Sequence, residues 1–191
     1  MQYPTLALLG LAGSALAAPT PQQAASDIPS FNQPFAIEVQ GAGLDNPRLR
    51  AVNGRLMIGG IQNAQCAAVR VIDTATFVTY SDKRLYMYTD STPVQNVWVD
   101  ASGMGQGITG YSTPDKAPAN GSLDPFVISP EGDLTFLDSS VAKACPGLEA
   151  GQWQIWFTSN DKPAGQDGCI DVTLKTIRTP SAVPCQYAEA Q

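Results

Sequence analysis

Short runs in which apolar and polar residues alternate at period two recur along most of this 191-residue chain, a spacing that predicts β-strands rather than helices. Phe35, Ile37 and Val39 alternate with Ala36 and Glu38. Leu49 and Ala51, then Leu56 and Ile58, flank an Asn53-Gly54 step, which suits the positive φ angles of a type I′ turn and predicts a β-hairpin. Further strands are predicted at 68–72, 76–80, 84–88, 96–100, 107–111, 125–129, 133–138, 153–159 and 169–177. Turn residues separate them at Ser81-Asp82, Ser102-Gly103, Pro130-Glu131-Gly132-Asp133 and Asp167-Gly168. Only 139–144 has the composition of a helical turn, ended by Pro146 and Gly147. Many short strands at regular spacing predict one all-β domain over residues 35–178, a β-sandwich or β-barrel. Its predicted core draws on Phe35, Ile37, Val39, Leu56, Ile58, Val69, Val71, Val97, Val99, Phe126, Leu134, Phe136, Trp153, Ile155, Phe157, Ile170, Val172 and Leu174.

The ends of the chain carry different signals. Leu6 to Ala12 is a short apolar run, far below the roughly 20 residues of a membrane span. Small residues follow, with Ala15-x-Ala17 before Ala18-Pro19, so residues 1–18 read as a secretory signal peptide. Residues 19–34, rich in Pro, Gln, Ala and Ser, are expected to be a flexible leader, and 179–191 a C-terminal tail. The polar ending gives no hydrophobic anchor signal, so no membrane attachment is expected.

Composition narrows the chemistry. The chain has no histidine, which removes Ser-His-Asp and Cys-His nucleophile systems and imidazole metal ligands. Its net charge is −6 with no basic run, a poor match to a nucleic-acid backbone. No charged side chain precedes Asp27, so the whole of that charge stays with the mature chain. The Gly-rich GMGQG at 103–107 lacks the Lys-Ser/Thr pair and the helix of a phosphate loop. Four cysteines in an exported chain favour two disulfides among three connectivities. The preferred pairing is Cys145–Cys169, closing a loop around Trp153, with Cys66–Cys185 pinning the tail to the body. No metal or cofactor is expected.

A few residues are candidates for function. Asn120-Gly121-Ser122 is a glycosylation sequon in a Pro- and Gly-rich loop. Lys83-Arg84, the only dibasic pair, reads as two solvated charges at a strand edge rather than a processing site. Asp100, Glu131, Asp133 and Asp171 would serve a glycosidase only if two of them met about 5–9 Å apart, which nothing in the sequence indicates. Trp98 and Trp156 alternate out of phase with Val97/Val99 and Ile155/Phe157. With Tyr86, Tyr88 and Tyr111 they would make either an exposed platform for stacking on sugar rings or a second buried layer.

The succession LRAVNGRLMIGG, NAQC, NVWVDASGMGQGITGYSTP, KACPG, GQWQIWF and DGCIDVTL resembles the PhiA family of secreted fungal cell-wall proteins, over roughly Phe35 to Leu174. The chain extends past that family's usual ending, and Cys185 sits in the extension. The resemblance implies a secreted, non-enzymatic wall protein linked to phialide and conidium formation and to stress protection. Its expected partners are wall polysaccharide or other wall proteins. Two alternatives are an extracellular carbohydrate-binding module or small glycosidase, and a secreted effector or allergen-like protein.

Overall fold

A computed structural model describes residues 27–67, 72–137 and 141–190. The chain order is β1 (Phe35–Gly41), β2 (Arg50–Val52), β3 (Arg55–Ile58), β4 (Ala64–Cys66), β5 (Phe77–Thr79), β6 (Leu85–Met87), β7 (Asn96–Asp100) and β8 (Ile108–Ser112). Then follow β9 (Gly121–Ser122), β10 (Phe126–Ile128), β11 (Leu134–Phe136), β12 (Ala142–Pro146), β13 (Trp153–Phe157), β14 (Ile170–Arg178) and β15 (Cys185–Tyr187). The predicted strands are there, apart from 68–72, of which 68–71 lie outside the described residues, as does the signal peptide. The predicted hairpin is β2–β3, with Asn53 and Gly54 both at positive φ, 47° and 79°.

The pairing decides between sandwich and barrel. Strands run in the order β12-β14-β1-β5-β6-β7-β8-β13, and β12 also pairs with β13, so these eight strands close on themselves. Every pairing in the ring is antiparallel. The closing strand is where the sequence suggested a helical turn. Residues 142–146 instead bond to β13 through Ala142↔Phe157 and to β14 through Ala142↔Val172. Helix propensity in an Ala-rich stretch is worth only tenths of a kcal/mol per residue, and two sheet edges in need of hydrogen bonds outweigh it.

Alternation then sorts the side chains. Phe35, Ile37, Val39, Val97, Val99, Ile155, Phe157 and Leu174 pack into one buried cluster. Phe77, Leu85 and Met87 join it although they were absent from the predicted core. Trp153 and Ile170, which were in it, are only partly buried against the cluster; Val69 and Val71 are outside the described residues. Part of the expected leader lies against the body: the Asn32 amide donates to the Thr79 carbonyl and the Arg178 amide to that of Asp27.

Both disulfides match the preferred pairing, Cys66–Cys185 and Cys145–Cys169. The first joins directly opposed residues of β4 and β15 and closes 119 residues; the second closes 24. By loop entropy alone they contribute about 5 and about 3.5 kcal/mol.

The C-terminal segment enters the core. Tyr187 is 2% exposed and meets Tyr111 edge-on at 6.1 Å. Gln95, fully buried, donates from Nε2 to the Tyr187 carbonyl at 2.8 Å and accepts from its amide at 2.9 Å. The Tyr187 hydroxyl accepts from the Thr76 amide, and the Tyr111 hydroxyl donates to the Ala188 carbonyl at 2.6 Å. Glu189 closes the arrangement, accepting from Gln95, from the amide and hydroxyl of Thr113, and pairing with Lys116 at 3.4 Å. Burial opposes ionisation of Glu189, but the hydrogen bonds from Gln95, Thr113 and Lys116 outweigh it and hold the carboxyl below its ordinary value.

Two outcomes are expected. Tyr187→Ala removes a buried ring that caps one region of the core and should cost about 3–5 kcal/mol, read as a lower urea midpoint. Because the Glu189 carboxyl is depressed in the fold, its contribution is complete above the unfolded value near about pH 4.3 and is lost as pH falls through the folded value. Glu189→Gln should therefore lower the urea midpoint at pH 7, with the difference from the parent shrinking as pH falls through the depressed folded value.

Candidate functional site

The outward faces of β7, β8, β12 and β13 carry the bulky residues that the core leaves over. Trp98 is 8% exposed and Trp156 2%, so neither presents an open ring face. Tyr111 is on the inward face at 1% exposure. The Trp98–Trp156–Tyr111 stacking platform is thus not assembled: the tryptophans form a second, covered layer and the tyrosine belongs to the core. Tyr86 is elsewhere, half-buried, stacked edge-on with Tyr80 at 5.3 Å and donating to Asp82. Tyr88 is half-buried, its backbone carbonyl held by the Cys185 amide.

Trp98 lies flat because its neighbour is a glycine. A Cβ added at Gly110, directly opposite Trp98, would sit 2.3 Å from the indole Cζ2 and 2.6 Å from the Gly54 carbonyl oxygen. With no side chain there, the ring crosses β8 and the β2–β3 turn closes over it, the Tyr111 amide donating to Gly54. Arg55, the first residue of β3, then sits above the indole with its guanidinium carbon 5.6 Å from the ring centroid. Burial alone pulls the Arg55 pKa down, and among the described residues no carboxylate or carbonyl accepts from its guanidinium.

Arg55 forms one side of an open cleft of ≈ 570 Å³, within the range of small-molecule sites. The cleft runs between the β2–β3 hairpin and the turn at 147–152. Gln152, Gln154 and Asn53 contribute planar amides, and Glu149 a carboxylate that accepts from the Gln152 side chain at 2.7 Å. Two aliphatic side chains stand at its margins: Ile61 is 86% exposed and Leu148 fully exposed.

Trp156 is covered differently. It is paired across the strands with Ile108 on one side and Lys143 on the other. Lys143, 5% exposed, reaches Asp171 at 2.6 Å and Asp161 at 3.2 Å. The Asp171 hydrogen bond holds the ammonium above the ordinary lysine range; burial opposes this and Asp161 adds to it.

Of the remaining candidates, Asp171 is thereby engaged in an ion pair, Asp133 pairs with Lys175, and Asp100 accepts from the Ser102 amide in the turn after β7. Glu131 is exposed in its turn. Each has its own fold-level partner or lies in solvent; the Glu131 carbonyl and the Asp133 carboxylate both face the Lys175 ammonium. Asn120 is exposed in the turn before β9, and Lys83 and Arg84 are exposed in the turn before β6. The cleft went unseen in the sequence. Its visible signals were two aliphatic residues, Ile61 and Leu148, outside any alternating run.

A family model of PhiA-like secreted proteins matches residues 36–188, from β1 through β15. The match takes in Cys185, which therefore lies within the family's extent rather than in an extension beyond it. Curated relatives named cell wall protein phiA include one from Aspergillus niger, 33% identical over 82% of this chain and 86% of its own length. Others come from Aspergillus fumigatus, 30% identical over 92% and 96%, and Arthroderma benhamiae, 31% identical over 95% of each. No solved structure matches. With the barrel's first and last strands both inside the matched region, the chain belongs to the family of PhiA-like secreted proteins.

Proposed function

We propose that this protein is a non-enzymatic component of the fungal cell wall, held there by non-covalent contacts with wall polysaccharide or other wall proteins. In this reading it serves phialide and conidium formation and protects against stress. The observation that carries it is the family match across the whole barrel, together with relatives named as cell wall proteins over nearly their full length. A closed barrel with two disulfides suits an extracellular scaffold, since every strand of the ring has a paired neighbour on each side and the unfolded state is restricted. The singled-out carboxylates are tied to a cation or a turn amide, or lie exposed, which favours a structural over a hydrolytic role.

Serial extraction of purified walls with detergent, reductant and glucanase tests the association. Release before the glucanase step is expected, with more protein in walls of conidiating than of vegetative hyphae. Release by glucanase alone would overturn the non-covalent reading. As Asp and Glu protonate, the chain's −6 charge at pH 7 should fall to zero near its pI of 4.4 and turn positive below it. Retention on isolated walls should accordingly rise from pH 7 to the pI of 4.4, where the charge vanishes, whereas a flat profile over that range would remove charge from the explanation. Asn120 is the proposed glycan carrier: N-glycosidase treatment should lower the mass of the secreted protein, and Asn120→Gln should abolish that shift.

A further inference from the structure

We infer that the cleft between the β2–β3 hairpin and the 147–152 turn binds a neutral hexopyranose chain, with Arg55 as its principal donor. The inference deepens the wall-association reading and rests on it for the choice of polymer. The ligand class follows from what the cleft leaves unsatisfied. Arg55 is half-buried over Trp98, and its guanidinium has no acceptor among the described residues. A cation desolvated in this way gains most from a ligand rich in acceptor oxygens.

Charge then selects among such ligands. Glu149 stands in the same cleft, so the site carries one cation and one anion, and the chain as a whole is −6. A carboxylate or phosphate ligand would meet Arg55 but also Glu149 and that field. A purely apolar ligand would strip water from Arg55, Gln152 and Gln154 and return no hydrogen bonds. A neutral polyhydroxylated ring satisfies both limits: its hydroxyls accept from Arg55 and exchange hydrogen bonds with the amides and Glu149. Its C–H faces meet the margins at Ile61 and Leu148, whose exposure has no role in the fold.

The margins are fixed in place before any ligand arrives. Arg50 donates to the Gly60 carbonyl at 2.5 Å on one side. On the other, the Gly147 amide donates to Gln152 at 2.7 Å and the Gln152 amide to Glu149 at 3.1 Å. A preformed cleft loses less entropy on binding.

The test uses the secreted, oxidised protein labelled with ¹⁵N and titrated with laminarihexaose and, separately, chitohexaose. Amide shifts should be confined to 52–61 and 147–154, and the indole N–H signal of Trp98 should shift with the same midpoint. Which sugar binds more tightly identifies the polymer. Arg55→Ala should weaken binding at least about tenfold, as expected for losing one charge-assisted hydrogen bond. Leu148→Ser, at a fully exposed position, should weaken it severalfold with an unchanged spectrum elsewhere. No shift with either sugar at 10-millimolar order, shifts centred away from the cleft, or binding unchanged in Leu148→Ser would overturn the inference. Retention of the parent protein on isolated walls, measured in parallel, separates the two readings. Retention with a silent cleft overturns this inference and leaves wall association standing. Sugar binding without retention upholds the cleft and overturns wall association.

Discussion

The β-ring depends on β12 bonding along both of its edges. Ala142 and Ala144 pair with Phe157 and Ile155 of β13 on one side and with Val172 and Ile170 of β14 on the other. Their small side chains face a core already filled by Phe157 and its aromatic neighbours Phe126 and Phe136, centroids 5.8 and 5.9 Å away. Larger residues there would compete for that space, and overpacking a filled core costs about 1–3 kcal/mol. The intervening Lys143 points to the opposite face, where two carboxylates make its burial tolerable. One short segment thus satisfies two strand edges, keeps the inner volume free for aromatic rings and covers Trp156 from outside.

The same economy governs the outer layer. Sheet alternation gives each strand a second face, and in this barrel that face is only partly left to water. Trp98 can lie across β8 because Gly110 presents no Cβ, and the close approach of the β2–β3 turn brings Arg55 over the ring. What covers the tryptophan therefore also leaves a guanidinium without a protein acceptor at the edge of a cleft. A packing solution at one position creates an unsatisfied donor at the next.

Much of the fold was legible along the chain because period-two alternation is a local signal. β7 begins and ends where its Asn96–Asp100 pattern predicts, and the Asn53-Gly54 turn is dictated by its own two residues. β12 and β15 were missed for complementary reasons. The sequence AKAC has no bulky apolar residue to mark an inward face, and CQY is too short and too close to the chain end to stand out. Their strand state comes from their pairing partners, β13 and β14 for the one and the distant β4 for the other. The candidate site was legible only as a choice: alternation placed Trp98 and Trp156 off the core face but did not say whether anything covered them.

The residues by themselves determined that this is an all-β, acidic, secreted-type chain with paired cysteines and no histidine chemistry, because composition and alternation act on each residue or its near neighbours. Only the tertiary structure decided that the sheet closes, that Tyr111 and Tyr187 meet in the core, and that Arg55 lies on Trp98 at an open cleft. Those are contacts between segments tens of residues apart. Their geometry depends on strand order and on which glycine lets two backbones approach, neither of which is written in any local pattern.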